Sequence, residues 1–169
     1  GYAWGQLSEF GLKLQDLALL CQRAENQYVG VNCGIMDQTI SACGKAGHAM
    51  MLDTRTLERA YFSIPEGLAI VVADSTVRRQ LTGSEYNVRR AQCEQAVSIL
   101  QEELPNVEAL RDVSLAQLSR YRDAMPEVVY RRARHVVSEN QRVLDVARSL
   151  YENQIEHVGN LLIEGHQSL

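Results

Sequence analysis

The chain has 169 residues and a mass of 19.0 kDa, a size that suits one domain or two small ones. Hydrophobic residues make up 46% and charged residues 22%, which is ordinary for a globular protein and excludes disordered and fibrous classes. The formal net charge of −4 argues against nucleic acid or an anionic membrane surface as partner, so small molecules or other proteins are expected instead.

The first part of the chain begins with helical patterns. Apolar residues at helical spacing predict one helix that ends just before Gly11, which would be its left-handed cap, and a second helix over about residues 14–26. Two glycines, Gly30 and Gly34, then require the backbone to bend. A short helix over residues 36–43 is expected after the bend.

Three strands are expected next. Residues 48–53 and 58–64 alternate between apolar and polar side chains, whereas residues 68–74 form a continuous apolar run, typical of a strand covered on both faces. Turn-forming residues separate the three segments. The simplest arrangement is an antiparallel meander.

The rest of the chain has only helical patterns. Helices are expected over about residues 84–103 and 114–124, in a long element after Pro126, and in a last element from about Ile155. The helix over residues 84–103 would have a serine as its N-cap.

This shift in pattern predicts an α+β protein with a boundary near residue 80. Residues 1–80 would form a mixed α+β domain and residues 81–169 a helical domain. The last helical pattern is still amphipathic at Leu169, so we expect the chain to be part of a longer protein. No apolar run approaches the roughly 20 residues that a membrane span needs.

Cysteine and histidine usage does not predict a metal centre. The four cysteines have no CxxC or paired zinc spacing, so free thiols in a reducing cytoplasm are favoured over the alternative of two disulfides. The four histidines are isolated, and none has a second histidine four residues on. A histidine-based metal site is therefore not expected.

The segment over residues 32–38 (NCGIMDQ) has the sharpest chemical pattern. It places Asp37 on a glycine-flanked bend at the start of a helix, where backbone N–H groups attract negative charge. Such a carboxylate could orient a hydroxyl and accept its proton, or hold a cationic partner. Capping of the helix is the commoner role of aspartate at this place.

Three stretches of the sequence resemble galactokinases, within the GHMP family of small-molecule kinases. They are residues 21–38 (CQRAENQYVGVNCGIMDQ), residues 44–49 (GKAGHA) with 52–53 (LD), and residues 83–94 (GSEYNVRRAQCE). Weaker similarity extends over residues 110–113 and 134–140. The first and third stretches together make the resemblance specific.

The resemblance implies a GHMP-kinase-like fold with two lobes and an active site in the cleft between them. Residues 1–80 would be the end of the amino-terminal lobe, and residues 81–169 the start of the carboxy-terminal lobe. The implied reaction is phosphorylation of α-D-galactose at its anomeric hydroxyl, with ATP and Mg²⁺, in the cytoplasm.

The resemblance also implies roles for four residues. Asp37 matches the catalytic aspartate, and Gly34 and Tyr86 match residues that contact the sugar together with it. Glu25 matches an acidic residue that helps to hold Mg²⁺. Without the resemblance, Glu25 would be read as a solvated helix residue, Tyr86 as cover for the core and Gly34 as a turn glycine. Thr39 departs from the family, which often has a bulky apolar residue there.

Other family motifs are not found in these 169 residues. They are the amino-terminal sugar-binding signature, the Gly-Leu-Ser-Ser-Ser-type loop around the ATP phosphates, and a late glycine-rich segment. No residue is therefore assigned to the ATP phosphates, whose natural cradle is such a loop. We expect these 169 residues alone to have negligible kinase activity and to self-associate through exposed edges.

Three alternatives remain open at this point. The protein could be a galactokinase-like sensor that binds sugar and nucleotide without catalysis. It could also be a related kinase acting on N-acetylgalactosamine. A purely structural helical protein is disfavoured by the segments around Asp37 and Tyr86.

Overall fold

The computed structural model describes residues 11–74, 76 and 85–169. Contacts divide the chain between Gly83 and Ser84 into two compact units, Gly1–Gly83 and Ser84–Leu169. The predicted helix before Gly11 and the predicted serine cap at position 84 lie outside the described residues. Gly11 itself has φ of +56°, the left-handed conformation expected of a cap.

The first unit begins with helix α1, Leu14–Ala24, which buries Leu17 and Ala18. Its start agrees with the sequence prediction, but it ends two residues earlier than the predicted Asn26. The reason is that the next five residues, Glu25–Val29, form a π-helical turn. Gly30 closes this turn with φ of +81° and donates its N–H to the Glu25 carbonyl.

Helix α2, Met36–Cys43, follows the bend and has the bounds that the sequence predicted. The side chain of Thr39 is buried in it, and its hydroxyl donates to the Ile35 carbonyl at 2.8 Å. The smaller polar residue at this position is therefore satisfied within its own helix. At the end of α2, Gly44 donates its N–H to Ile40 O at 2.9 Å.

Two strands form an antiparallel hairpin after α2. β1, His48–Leu52, pairs with β2, Arg59–Ser63, in the register His48↔Ser63 to Leu52↔Arg59. Asp53 Oδ1 shapes the connecting turn, because it accepts the backbone N–H of Arg55 at 2.7 Å and of Thr56 at 3.1 Å.

Side chains of β2 attach the hairpin to the two helices. The Tyr61 hydroxyl donates to Cys43 O at 2.7 Å at the end of α2, and the Lys45 ammonium lies 4.1 Å from the centre of the Tyr61 ring. Arg59 donates to Cys43 Sγ at 2.7 Å and to Gln15 Oε1 of α1 at 3.3 Å. The helices and the hairpin therefore share one polar junction around Cys43.

The third predicted strand is wrong. Residues 68–74 have no regular structure, and Ile70, Val71 and Val72 are 81%, 87% and 86% exposed. A strand that is apolar on both faces needs a neighbouring strand and cover on each side. The described residues provide neither, since their one sheet consists of β1 and β2. The predicted meander is thus a two-stranded hairpin.

The second unit is helical, as the sequence predicts. Its helices are α3 (Glu85–Gln101), α4 (Leu115–Arg120), α5 (Glu127–Tyr151) and α6 (Ile155–Ser168). The expected helix over residues 114–124 is shorter: it ends at Arg120 and is followed by a 3-10 turn, Arg122–Ala124. Ser114 caps α4, because its hydroxyl accepts the Gln117 N–H at 3.2 Å.

The core of this unit lies between α3, α4 and α5. Its fully buried members are Ala96 and Leu100 from α3, Leu118 from α4, and Ala133 from α5. Among the described residues, no helix is both long and apolar enough to span a lipid bilayer.

Helix α6 is tied to α5 by polar contacts at its end. His135 Nδ1 lies 2.6 Å from Ser168 Oγ, which also accepts from Arg142 Nη2 at 2.8 Å. Partial burial lowers the pKa of His135, and the positive charges of neighbouring arginines act in the same direction, although Glu139 opposes them. These contacts give His135 a structural role between the two helices.

Candidate active site

An open cleft of about 360 Å³ lies in the first unit, where the side chains of α1 and α2 meet. Two acidic residues, Glu25 and Asp37, line it. The remaining lining residues are Leu17, Ala18, Cys21, Gln38, Ser41 and Ala42. The cleft thus has an apolar wall from α1 and a polar wall from α2, and it brings together two of the residues that the sequence singled out.

Asp37 reaches the cleft from the first turn of α2. This turn directly follows a bend at Ile35, and its backbone N–H groups carry the partial positive charge of a helix start. The side chain is exposed, so a ligand in the cleft has access to the carboxylate.

Glu25 reaches the same cleft from the beginning of the π-helical turn. Its carboxylate is held from two sides. Oε1 accepts a hydrogen bond from Gln38 Nε2 at 2.8 Å, and Oε2 accepts one from the Cys33 thiol at 3.4 Å. Turns of π-helix are frequent at functional sites, because the extra residue redirects a side chain out of the α-helical register.

Cys33 lies at the centre of a small polar network in the bend. Its thiol is also 3.3 Å from Asn26 Oδ1, and its carbonyl accepts from Gln22 Nε2 at 3.2 Å. Burial raises the pKa of the Cys33 thiol, and the nearby Glu25 carboxylate raises it further. The protonated thiol is the form that can donate to Glu25.

The two other predicted site residues are not among those that line the cleft. Gly34 has an exposed position with no positive φ, and a Cβ added there would meet nothing within 4 Å among the described residues. Tyr86 belongs to the second unit, near the start of α3, where its side chain is 48% exposed. Neither its position nor its exposure assigns it to the core.

The carboxylate of Glu25 suits a magnesium ion. Mg²⁺ is usually bound in proteins through one or two carboxylates together with phosphates and waters, and Glu25 supplies one carboxylate to an open cleft. In the part of the chain that the structure describes, no group of three or more His, Cys, Asp and Glu side chains could hold a metal ion. The described residues alone would therefore not complete the coordination of a cation in this cleft.

The sequence patterns indicate no role for Gln38 and Cys33, although both lie in the segment that carries Asp37. The position of Gln38, directly after Asp37 in the first turn of α2, is the one feature of the sequence that points to it. The pairing with Glu25, 13 residues earlier, joins the start of the π-helical turn to the first turn of α2, and no local pattern in the sequence indicates it.

The amino-acid sequence of the chain is similar to those of known sugar kinases. The sequence profile of the GHMP kinases N terminal domain matches residues 1–45. Over all 169 residues, the chain is 48% identical to the galactokinase of Chloroflexus aggregans and 46% identical to that of Chloroflexus aurantiacus. The chain spans 43% of the length of each of these curated relatives.

A solved structure leads to the same family. The structure is similar to the crystal structure of Lactococcus lactis galactokinase complexed with galactose, with a TM-score of 0.88 and 28% sequence identity. The match covers 99% of this chain and 43% of that one. The expected fold class and the resemblance are both confirmed. The first 45 residues thus match the GHMP kinases N terminal domain, and along its whole length the chain is similar to galactokinases.

Proposed function

We propose that the protein carrying this chain is a galactokinase, which transfers the γ-phosphoryl group of ATP to the anomeric hydroxyl of α-D-galactose. The observation that supports this most is the shared cleft of Glu25 and Asp37, the two carboxylates to which the family resemblance assigns the metal ion and the sugar hydroxyl. In this proposal, the first unit is the end of the amino-terminal lobe and the second unit the start of the carboxy-terminal lobe.

Asp37 acts on the sugar in this mechanism. Its carboxylate accepts a hydrogen bond from the anomeric hydroxyl and thereby orients the oxygen toward the γ-phosphorus. As the new oxygen–phosphorus bond forms and the bond to the leaving ADP breaks, Asp37 receives the hydroxyl proton. Gly34 and Tyr86 contact the sugar in this proposal and hold it in place.

Glu25 would help to hold Mg²⁺ in this proposal. A bound Mg²⁺ would neutralise the negative charge that the phosphate oxygens carry during the transfer. The 169 residues contain no glycine- and serine-rich phosphate loop, so no residue of this chain is proposed to cradle the phosphates of ATP.

We further propose that the protein works in the cytoplasm. All four cysteines are free thiols, which suits a reducing compartment. The Cys33 sulfur lies 3.4 Å from Glu25 Oε2 and 3.3 Å from Asn26 Oδ1, and it would lose its donor hydrogen if it entered a disulfide.

The mechanism predicts that Asp37→Asn abolishes turnover in the intact protein. The amide cannot accept the proton, and removal of a general base lowers kcat about 10²- to 10⁴-fold. ADP formation from ATP and galactose measures the loss, and thermal unfolding checks the fold. Asp16→Asn is the matched control, because Asp16 is an exposed carboxylate in the first turn of α1 that does not line the cleft.

A kcat of Asp37→Asn equal to that of the unmodified protein would remove Asp37 from this role. If the unmodified protein binds galactose and ATP but forms no ADP, it is a sensor and not a kinase. If turnover is faster with N-acetylgalactosamine than with galactose at equal concentration, the substrate assignment changes to that sugar.

A further inference from the structure

The carboxylate of Glu25 is held in one orientation before any ligand binds. Gln38 Nε2 lies 2.8 Å from Oε1, a distance typical of a strong hydrogen bond to a charged acceptor. The thiol of Cys33 approaches the other oxygen, Oε2, at 3.4 Å. Because each carboxylate oxygen has about two acceptor sites, one site on each oxygen remains for a further ligand.

Gln38 makes the stronger of the two contacts. The thiol of Cys33 has a single hydrogen, and its sulfur is as close to Asn26 Oδ1, at 3.3 Å, as to Glu25. The amide of Gln38 donates to Oε1 over a shorter distance. Removing the Gln38 amide should therefore affect the Glu25 carboxylate more than removing the thiol.

The orientation of the Gln38 amide is itself fixed. Its oxygen, Oε1, is buried and has no hydrogen-bond partner among the described residues. Rotating the amide by half a turn would direct this oxygen at the Glu25 carboxylate, which would be repulsive. Nε2 donates to Glu25 Oε1 at 2.8 Å and to Cys33 Sγ at 3.7 Å, and these two contacts decide the orientation of the amide, although they leave a buried acceptor unpaired.

We propose that Gln38 is a positioning residue, which holds the Glu25 carboxylate toward the cleft that it shares with Asp37 and prepares it for a divalent cation. This inference rests on the proposed function, since Glu25 binds the cation there. Side chains that orient a metal-binding carboxylate typically change metal affinity about 10- to 100-fold when they are replaced. Gln38 donates to the Glu25 carboxylate, so we expect its replacement to change metal affinity more than galactose affinity.

The test is cation binding by Gln38→Met in the intact protein. Met has nearly the same length, lacks the donor and also removes the unpaired buried oxygen, so the fold should persist. Mn²⁺ serves as the probe, titrated in the presence of a non-hydrolysable ATP analogue and followed by electron paramagnetic resonance. We expect about 10- to 100-fold weaker Mn²⁺ binding and galactose affinity, measured by calorimetry, within about twofold.

Two further variants make the test specific. Gln22→Met is the matched control, because Gln22 donates to the backbone carbonyl of Cys33 and makes no described hydrogen bond to the Glu25 carboxylate; its Mn²⁺ affinity should not change. Cys33→Ala removes the second donor to Glu25 and should weaken Mn²⁺ binding less than Gln38→Met does.

The outcomes separate this inference from the proposed function. If the unmodified protein binds no Mn²⁺ with the ATP analogue, or if Glu25→Gln binds it equally well, the metal role of Glu25 fails and this inference fails with it. If Glu25→Gln weakens Mn²⁺ binding but Gln38→Met does not, only the positioning role of Gln38 is overturned. An equal loss in Gln38→Met and Gln22→Met would also overturn it, because the effect would then be structural.

Discussion

At the scale of single residues, two glycines four positions apart have different physical reasons to be glycine. Gly30 has φ of +81°, a conformation that costs any residue with a Cβ roughly 1–2 kcal/mol. Gly34 has no positive φ and an open environment within the described part of the chain. The backbone therefore requires glycine at the first position but not at the second, which agrees with the proposed contact between Gly34 and the sugar.

This contrast predicts opposite effects of the same substitution. Gly34→Ala should leave the free energy of unfolding unchanged and weaken galactose binding about tenfold, because a methyl group pressed against a ligand costs about 1–3 kcal/mol. Gly30→Ala, the matched comparison, should lower the free energy of unfolding. Urea unfolding and calorimetric titration of galactose into the intact protein measure the two effects. Unchanged galactose affinity in Gly34→Ala would contradict the proposed contact.

Asp37, one of the two carboxylates of the cleft, could be predicted from the residue types of the sequence. The position of Asp37, on a glycine-flanked helix start, follows from the sequence because it depends on neighbouring residues only. The contact between Gln38 and Glu25 does not follow, since a π-helical turn adds one residue per turn and changes which side chains face each other. The five residues of that turn include no Pro and no Gly, so the sequence does not indicate the departure from the α-helix.

At the scale of elements, the helices of the second unit depend on a few fully buried side chains. Leu118 of α4 is completely buried in the core between the helices, whereas Leu144 of α5 is 52% exposed. Both are leucines on helices, so they differ mainly in burial. The cost of truncating each side chain should follow the apolar surface that it removes from water.

We therefore predict that Leu118→Ala destabilises the second unit by about 2–5 kcal/mol, since it leaves a cavity. Leu144→Ala should change the free energy of unfolding by no more than about 0.5 kcal/mol. Denaturant unfolding followed by circular dichroism compares the two variants under the same conditions. Equal losses would mean that the core does not lie around α4.

Backbone hydrogen bonding explains why the helices were predicted better than the strands. A helix satisfies its own backbone hydrogen bonds, so its apolar period and its end signals are sufficient, as the bounds of α2 demonstrate. A strand is satisfied by another segment. The two alternating strands pair with each other across a short turn, but the apolar run over residues 68–74 has no described partner and is not a strand.

At the scale of the whole molecule, the chain exposes much apolar side-chain surface. Besides Val71 and Val72, Leu19 and Leu20 of α1 and Met36 of α2 are exposed large apolar residues of the first unit. Exposed apolar surface promotes association or binding of another surface where it is contiguous. Residues 70–72 form a run of three consecutive apolar residues, each of them more than four-fifths exposed.

We expect the 169-residue chain to self-associate, and Val71→Glu to reduce that association by placing a charge in the exposed run. Val128→Glu is the matched control, because Val128 is an exposed valine in the first turn of α5, outside this run. Light scattering and binding of a fluorescent apolar dye measure the difference. A chain that remains monomeric and binds no dye would contradict the expectation.

The eight described residues that line the cleft all fall within positions 17–42. Two helices joined by a short connection can dock as soon as that stretch of chain exists, because only a small loop has to close. One short stretch of the sequence therefore contains all the described residues that line the acidic cleft. During synthesis, this stretch leaves the ribosome long before the last helix of the chain.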